Sequence, residues 1–180
     1  MNTENKEIIY WSLLSFNNWK MYIAATPKGL CYVGSHNRPI EELSAWVNRR
    51  LPESILEENE EQLQPYANEL IEYFERGRTK FTISLDYMGT PFQLAVWNAI
   101  TEIPYGQTRF YSDIANLINK PAAVRAVGTA IGANPVLITV PCHRVIGKNG
   151  SLTGYRGGLE MKTTLLNLEK DIQSRIQEKH

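Results

Sequence analysis

The hydrophobic rhythm of this 180-residue chain changes near residue 88, which restricts it to a few architectures. Before that point Trp19, Met21 and Ile23 alternate, as do Phe81, Ile83, Leu85 and Tyr87, the period of a half-buried strand. Leu30 to Val33 adds a short strand. Between them Leu43, Trp46, Val47 and Arg50 keep helical spacing, as do Tyr66, Leu70, Tyr73 and Phe74, with Gly77 as a stop. The acidic stretch Glu53 to Glu61 reads as a solvated connection. Beyond residue 88 the pattern turns mainly helical. The expected class is therefore α+β. Residues 1–88 form a mixed α/β scaffold, 89–170 a helical functional domain, and 171–180 a polar tail that is disordered by default.

The second half opens on Thr90-Pro91-Phe92-Gln93, with Thr at the N-cap, Pro at the first helical position and Gln completing a capping box. Phe92, Val96, Ala99, Ile100 and Ile103 mark one apolar stripe, and Pro104-Tyr105-Gly106 turns the chain away. Two short helices follow. The first spans about Tyr111 to Ile118 with Ile114, Leu117 and Ile118 inward, and Asn119-Lys120 breaks it. The second spans about Pro121 to Ile131 with Val124, Val127 and Ile131 inward. This is the layout of a helix-turn-helix. The opposite stripe of the second helix holds Ala122, Arg125, Ala126 and Thr129, nearly bare of bulk with one long cation. That stripe suits close approach to a narrow groove, with insertion of the Arg. It would also suit packing against another helix, with Arg125 a surface charge.

Gly132-Ala133-Asn134-Pro135 ends this helix and leads into the run Val136-Leu137-Ile138-Thr139-Val140, which reads as a buried strand. At its end stands Pro141-Cys142-His143-Arg144-Val145. A thiolate is a strong nucleophile at neutral pH, and a neighbouring base or cation raises its population. Asn134 can stiffen the bend before the strand. Downstream, Gly154-Tyr155-Arg156-Gly157-Gly158 reads as a flexible loop. A final helix from about Leu159 turns Met161, Leu165 and Leu168 inward, with Glu169 beside that face.

Net charge is zero, but residues 1–90 carry 9 Lys/Arg against 13 Asp/Glu and residues 91–180 carry 10 against 6. Between Tyr105 and Arg156 six basic residues stand with one acid, Asp113. The window suits a polyanion such as DNA, or is a solvated face. No signal segment or bilayer-length apolar run occurs, so a soluble, cytoplasmic protein is expected. Cys31 and Cys142 make no disulfide framework. Cys31 and His36 lie five apart with no second Cys/His pair near them, so no metal is expected.

Five separated segments resemble the O6-alkylguanine-DNA alkyltransferases. They are Phe92-Gln93…Val96-Trp97, Ile103-Pro104-Tyr105-Gly106, Ala-Val-Arg-Ala-Val-Gly at 123–128, Asn134-Pro135 through Pro-Cys-His-Arg-Val at 141–145, and Gly-Tyr-Arg-Gly-Gly at 154–158. The likeness is densest over residues 88–170, and closest to stand-alone bacterial members. It implies a ribonuclease H-like first domain and direct, irreversible alkyl transfer from guanine O6 to Cys142. O4-alkylthymine is a second expected substrate. A base in a duplex cannot be reached, so it must be flipped out. By this resemblance Arg125 fills the vacated stack, and Tyr111 crowds the phosphate and faces the ring nitrogen. His143 takes the thiol proton through a water, and Glu169 orients it. Tyr155 lines the pocket, the Cys142 and Val145 carbonyls read the exocyclic amine, and a backbone N–H near Arg156 stabilises the leaving guanine. Asn134 holds the hinge. A monomer that meets duplex DNA through the minor groove is implied, with no cofactor. The stable thioether means one turnover per molecule.

Three alternatives compete. A thiol hydrolase built on Cys142 and His143 leaves the helix-turn-helix without a purpose. A transcription regulator would need a sensor or dimerisation segment. A non-catalytic alkyl-lesion-binding protein would lack the active cysteine that Cys142 supplies.

Overall fold

A computed structural model of the chain describes residues 6–150 and 154–178, with side chains described through Lys170. The first half is a four-stranded sheet in the order β3-β2-β1-β4. Strands β1 (Ile8–Phe16), β2 (Trp19–Thr26) and β3 (Gly29–Val33) form an antiparallel meander, and β4 (Ile55–Glu58) lies parallel beside β1. Helix α1 (Ile40–Arg50) buries Leu43, Trp46 and Val47 on one face of the sheet, with Ile9, Ala24 and Tyr32. Helix α2 (Glu60–Phe74) buries Leu63, Leu70, Tyr73 and Phe74 on the other, with Leu14, Met21 and Ile23.

Two strands were not legible. In β1, Ile9 packs under α1 and Leu14 under α2, so apolar residues fall on both faces and no alternation survives. The expected connection Glu53 to Glu61 contains β4, whose mostly exposed, acidic residues suit a sheet edge that must not recruit another strand. Conversely, Phe81 to Tyr87 is not a strand. It is extended chain with a single bridge, Leu30 to Leu85, held by Leu30 N–H to the Ser84 carbonyl at 2.9 Å and Asp86 N–H to the Leu30 carbonyl at 2.8 Å. The approach is close enough that a Cβ on Gly29 would lie 2.6 Å from the Ser84 carbonyl oxygen. Helix α2 ends through Arg76 at φ 66°, and the Gly77 N–H reaches the Glu72 carbonyl at 2.9 Å, so the left-handed position precedes the glycine.

The second half opens with α3 (Pro91–Thr101), whose Thr90–Gln93 capping box is formed in both directions. Val96 and Ile100 of the expected stripe are buried, and Trp97 joins them, its indole N–H donating to the Ala130 carbonyl at 2.9 Å. The two-residue strand β5 (Arg109–Phe110) leads into α4 (Tyr111–Leu117), followed by α5 (Val124–Gly132). Helix α5 starts three residues later than expected, because Pro121 and Ala122 complete a turn after Asn119 at φ 60°. Leu117 is 61 % exposed and Val124 38 %, so neither faces inward as expected. Strand β6 (Val145–Ile146) pairs in parallel with β5. Helix α6 (Leu159–Glu178) continues through residues 171–178, where a separate tail was expected. One apolar core runs through both halves, joining Leu70 and Tyr73 to Val96, Ile131 and Leu165.

Candidate active site

The segment expected as a strand before Cys142 is a tight buried turn. Only Val136 makes a bridge, to Val33, and Thr139 N–H already folds back to the Leu137 carbonyl at 2.7 Å. Ile138 sits at φ 69°, a left-handed conformation costing a β-branched residue about 1–3 kcal/mol, which its complete burial sustains. Cys142–Arg144 then forms one 3-10 turn. An apolar run suits a buried turn as well as a strand, and pairing partners decide between them.

Asn134 organises this turn from inside. Fully buried, its Oδ1 accepts from Val136 N–H at 2.9 Å. Its Nδ2 donates toward the carbonyls of Val136 and Val140 at 3.2 and 3.1 Å and toward Cys142 Sγ at 3.0 Å. Burial pushes the Cys142 thiol up to about 12, opposed by that amide bond and by the charges of Arg156 and Lys162. Arg144, adjacent in sequence, does not serve the thiol. Its guanidinium turns to Glu169 and to the Ile103 carbonyl, and lies over the Tyr105 ring.

Glu169 is the charged centre of the site. Its Oε2 receives His143 Nε2 at 2.6 Å, the Tyr73 hydroxyl at 2.5 Å and Arg144 Nη2 at 3.2 Å. Its Oε1 receives Arg144 Nε at 2.8 Å and Gly106 N–H at 3.2 Å. Burial raises its carboxyl pKa, but these donors and the cation outweigh that and hold it down at about 2. The carboxylate is therefore ionised and can only accept. His143, whose basicity is lowered by complete burial, is neutral at pH 7. Its Nε2 must then carry the hydrogen toward Glu169. This leaves the lone pair on Nδ1, which has no protein partner among the described residues. The result is a neutral imidazole in the base form, one residue from a thiol.

The other expected residues divide. Tyr155 is buried, with its ring 6.5 Å from that of His143. Tyr111, at the start of α4, is half-buried beside Gly128 and Gly154. At Gly154 φ is +87°, and a Cβ would meet the Tyr111 hydroxyl at 2.9 Å. Val145 is buried with its carbonyl accepting from Lys162 Nζ at 2.6 Å, while the Cys142 carbonyl accepts the Val145 N–H. Arg125, Ala126 and Thr129 are exposed on α5, while Ala122, expected on the same helix, is exposed in the turn before it because the helix begins only at Val124. Cys31 and His36 stay apart from the site. Cys31 is buried, and His36 accepts the Lys20 N–H through Nδ1.

The loop expected to be flexible is pinned by its own arginine. Arg156 donates to the carbonyls of Asn134 at 2.8 Å, Val33 at 2.6 Å and Pro135 at 3.2 Å, and pairs with Glu42 at 3.1 Å. Its guanidinium also lies 5.2 Å from the Tyr32 ring centre.

Two buried partners went unrecognised in the sequence. Lys162 is fully buried, and desolvation lowers its pKa to about 8. The signal was present, since positions 162, 165 and 169 share one face of α6. Tyr73 read only as a core position of α2, and no local signal marks its hydroxyl as bound to Glu169.

The pattern described as "6-O-methylguanine DNA methyltransferase, DNA binding domain" matches residues 91–171, and its "ribonuclease-like domain" counterpart matches residues 9–87. The chain is also 66% identical over 176 residues to the inducible methylated-DNA–protein-cysteine methyltransferase of Bacillus subtilis (strain 168), covering 98% of each. The chain belongs to the 6-O-methylguanine DNA methyltransferase family. A methylated-DNA–protein-cysteine methyltransferase of Methanosarcina acetivorans is 42% identical, over 89% of this chain and 98% of that protein. Among solved structures, Mycobacterium tuberculosis OGT in complex with DNA superposes with a TM-score of 0.76 at 36% identity, over 91% of this chain and 94% of that one. The family's two-part architecture is the one found here, a mixed α/β half followed by a helical DNA-binding half.

Proposed function

We propose that the protein repairs DNA by moving an alkyl group from guanine O6 to Cys142 Sγ, once per molecule. The observation that carries this reading is a buried thiol beside a neutral histidine whose Nε2 is committed to Glu169. Residues 89–170 hold the reacting groups, and residues 1–88 brace them.

His143 Nδ1 takes the thiol proton through a water, and the resulting sulfur attacks the methyl carbon. The S–C bond forms as the C–O6 bond breaks, with its electron pair going to guanine. A proton then returns to the base, leaving ordinary guanine and S-methylcysteine. Tyr111 faces the ring nitrogen where negative charge develops, as does a backbone N–H near Arg156. The Cys142 and Val145 carbonyls read the exocyclic amine, and Tyr155 walls the pocket. Because Cys142 is fully buried, the entering base must part the side chains around it.

The exposed face of Ala122, Arg125, Ala126 and Thr129 has too little bulk for reading major-groove edges and suits a minor groove. Arg125 would occupy the place of the flipped nucleotide. The protein acts as a cytoplasmic monomer on duplex DNA carrying O6-alkylguanine, with O4-alkylthymine a second substrate, and needs no cofactor. Among the described residues no helix is long and apolar enough to cross a membrane, and no cluster of three His, Cys, Asp or Glu is placed to hold a metal.

Intact-protein and peptide mass spectrometry after incubation with a duplex carrying one O6-methylguanine tests this. One methyl on the Cys142 peptide, saturating at one per protein, is expected. Tight binding without mass change would point to a lesion-binding protein, and turnover of an acyl ester to a thiol hydrolase.

A further inference from the structure

We infer that Tyr73 of α2 is a positioning residue for alkyl transfer, holding the Glu169 carboxylate in the orientation that presents His143 to the thiol. The inference rests on the transfer chemistry proposed above and adds a member from the other half of the chain. The Tyr73 hydroxyl reaches the same oxygen, Glu169 Oε2, that receives His143 Nε2, across 96 residues of sequence. Tyr73 and Glu169 are 0 % and 1 % exposed, so no solvent competes for either group.

A buried tyrosine needs a hydrogen-bond partner, and any backbone carbonyl would serve. Here the hydroxyl is aimed at the one carboxylate that touches the base. Its ring cannot swing away, because it packs against Phe81 at 5.6 Å, Phe74 at 5.7 Å and Tyr105 at 6.1 Å. Arg144 Nε and Gly106 N–H hold Oε1, leaving Oε2 located by Tyr73, His143 and the longer Arg144 contact. Glu169 thus has one oxygen anchored within the C-terminal half and the other shared between that half and Tyr73 of the N-terminal half.

The contact also has an electrostatic consequence. A donated hydrogen bond draws negative charge away from Oε2, so Glu169 stabilises a protonated His143 less than a bare carboxylate would. The other groups facing the pair are Arg144, Lys162, Cys142, Tyr155 and Tyr105, and of these only Arg144 also donates to Oε2, at 3.2 Å against 2.5 Å for the Tyr73 hydroxyl. Loss of the hydroxyl leaves Glu169 freer to rock and its attraction for the imidazolium stronger. Transfer then slows, and His143 holds its proton to higher pH.

The test is single-turnover methyl uptake from an O6-methylguanine duplex between pH 5 and 9, for wild type, Tyr73→Phe and Phe81→Leu. Tyr73→Phe should be slower by about tenfold at pH 7, part of the ~10²–10⁴ a positioned base contributes. Its acid limb should move to higher pH with lesion-duplex affinity unchanged. Phe81→Leu loosens the packing around the ring without touching the hydroxyl, so it should lower the urea midpoint and leave the acid limb in place. A Tyr73→Phe protein with the wild-type rate, or a slowed one with an unmoved limb, overturns the role of Tyr73. A limb that moves equally in Phe81→Leu does the same. Wild-type protein that takes up no methyl sinks the transfer reading itself and this inference with it.

Discussion

Arg156 Nε donates to the Asn134 carbonyl at 2.8 Å, while the amide of the same Asn134 donates to Cys142 Sγ at 3.0 Å. One residue is thus gripped on its backbone by a cation that also binds Val33 and Glu42, and on its side chain touches the Cys142 thiol. The arrangement connects β3 and α1 of the scaffold to the thiol through two side chains.

Replacing Arg156 by Ala leaves the buried Asn134 carbonyl without its guanidinium donor, and takes one of two donors from the carbonyls of Val33 and Pro135, which keep the N–H groups of Leu137 and Val33. The expected loss of stability is about 2–4 kcal/mol, with slower transfer. Arg156→Lys should recover little of it, since a point charge cannot span three carbonyls and a carboxylate. Urea denaturation of the three proteins decides this, and a fully rescued lysine variant would contradict the clamp.

Alkylation should weaken the spent protein. Cys142 Sγ is fully buried against the Asn134 amide, so a methyl group overpacks the site and crowds that contact. Overpacking costs about 1–3 kcal/mol. At ~2–4 °C per kcal/mol for a chain of this size, the melting temperature should fall by several degrees after reaction. An unchanged or raised melting temperature would mean the pocket was preformed to hold the product.

The site also makes stability depend on pH. Glu169 has a folded pKa depressed to about 2 from an ordinary 4.5, so its contribution is complete above about 4.5 and is lost as pH falls through that interval toward 2. The amount is on the order of 3 kcal/mol. Between pH 5 and 3, Glu169→Gln should lose less stability than wild type, although it starts lower at pH 7. Parallel slopes in the two proteins would remove Glu169 from the acid sensitivity.

Arg125 is exposed on α5, and it does not appear among the hydrogen-bond or ion-pair partners of Glu169. Arg125→Ala should slow methyl uptake from duplex DNA by tenfold or more, while reaction with a free O6-benzylguanine base stays near wild type. An equal loss on both substrates would place Arg125 in the folding of the site and not in DNA engagement.

Much of the second half was legible because its signals are local. The Thr90–Gln93 box, the break at Asn119 and the bare stripe around Arg125 each specify backbone geometry within a few residues. The adjacency of Cys142 and His143 is likewise a property of the chain itself, and the roles proposed for both rest on the resemblance to the family. Sequence reading failed where two faces are apolar or where pairing decides the outcome. β1 shows no alternation, Phe81 to Tyr87 alternates yet pairs only at Leu85, and Val136 to Val140 is a turn.

The sequence by itself determined the chemical inventory and the local stops and starts, since these follow from side-chain type and short-range spacing. Only the tertiary structure decided which buried polar groups meet. Tyr73 with Glu169, Lys162 with Val145, and Arg156 with Val33 are separated by 96, 17 and 123 residues. Periodicity shows which face of an element is hidden, but a hydrogen bond needs the far partner within about 3 Å, and packing alone sets that distance.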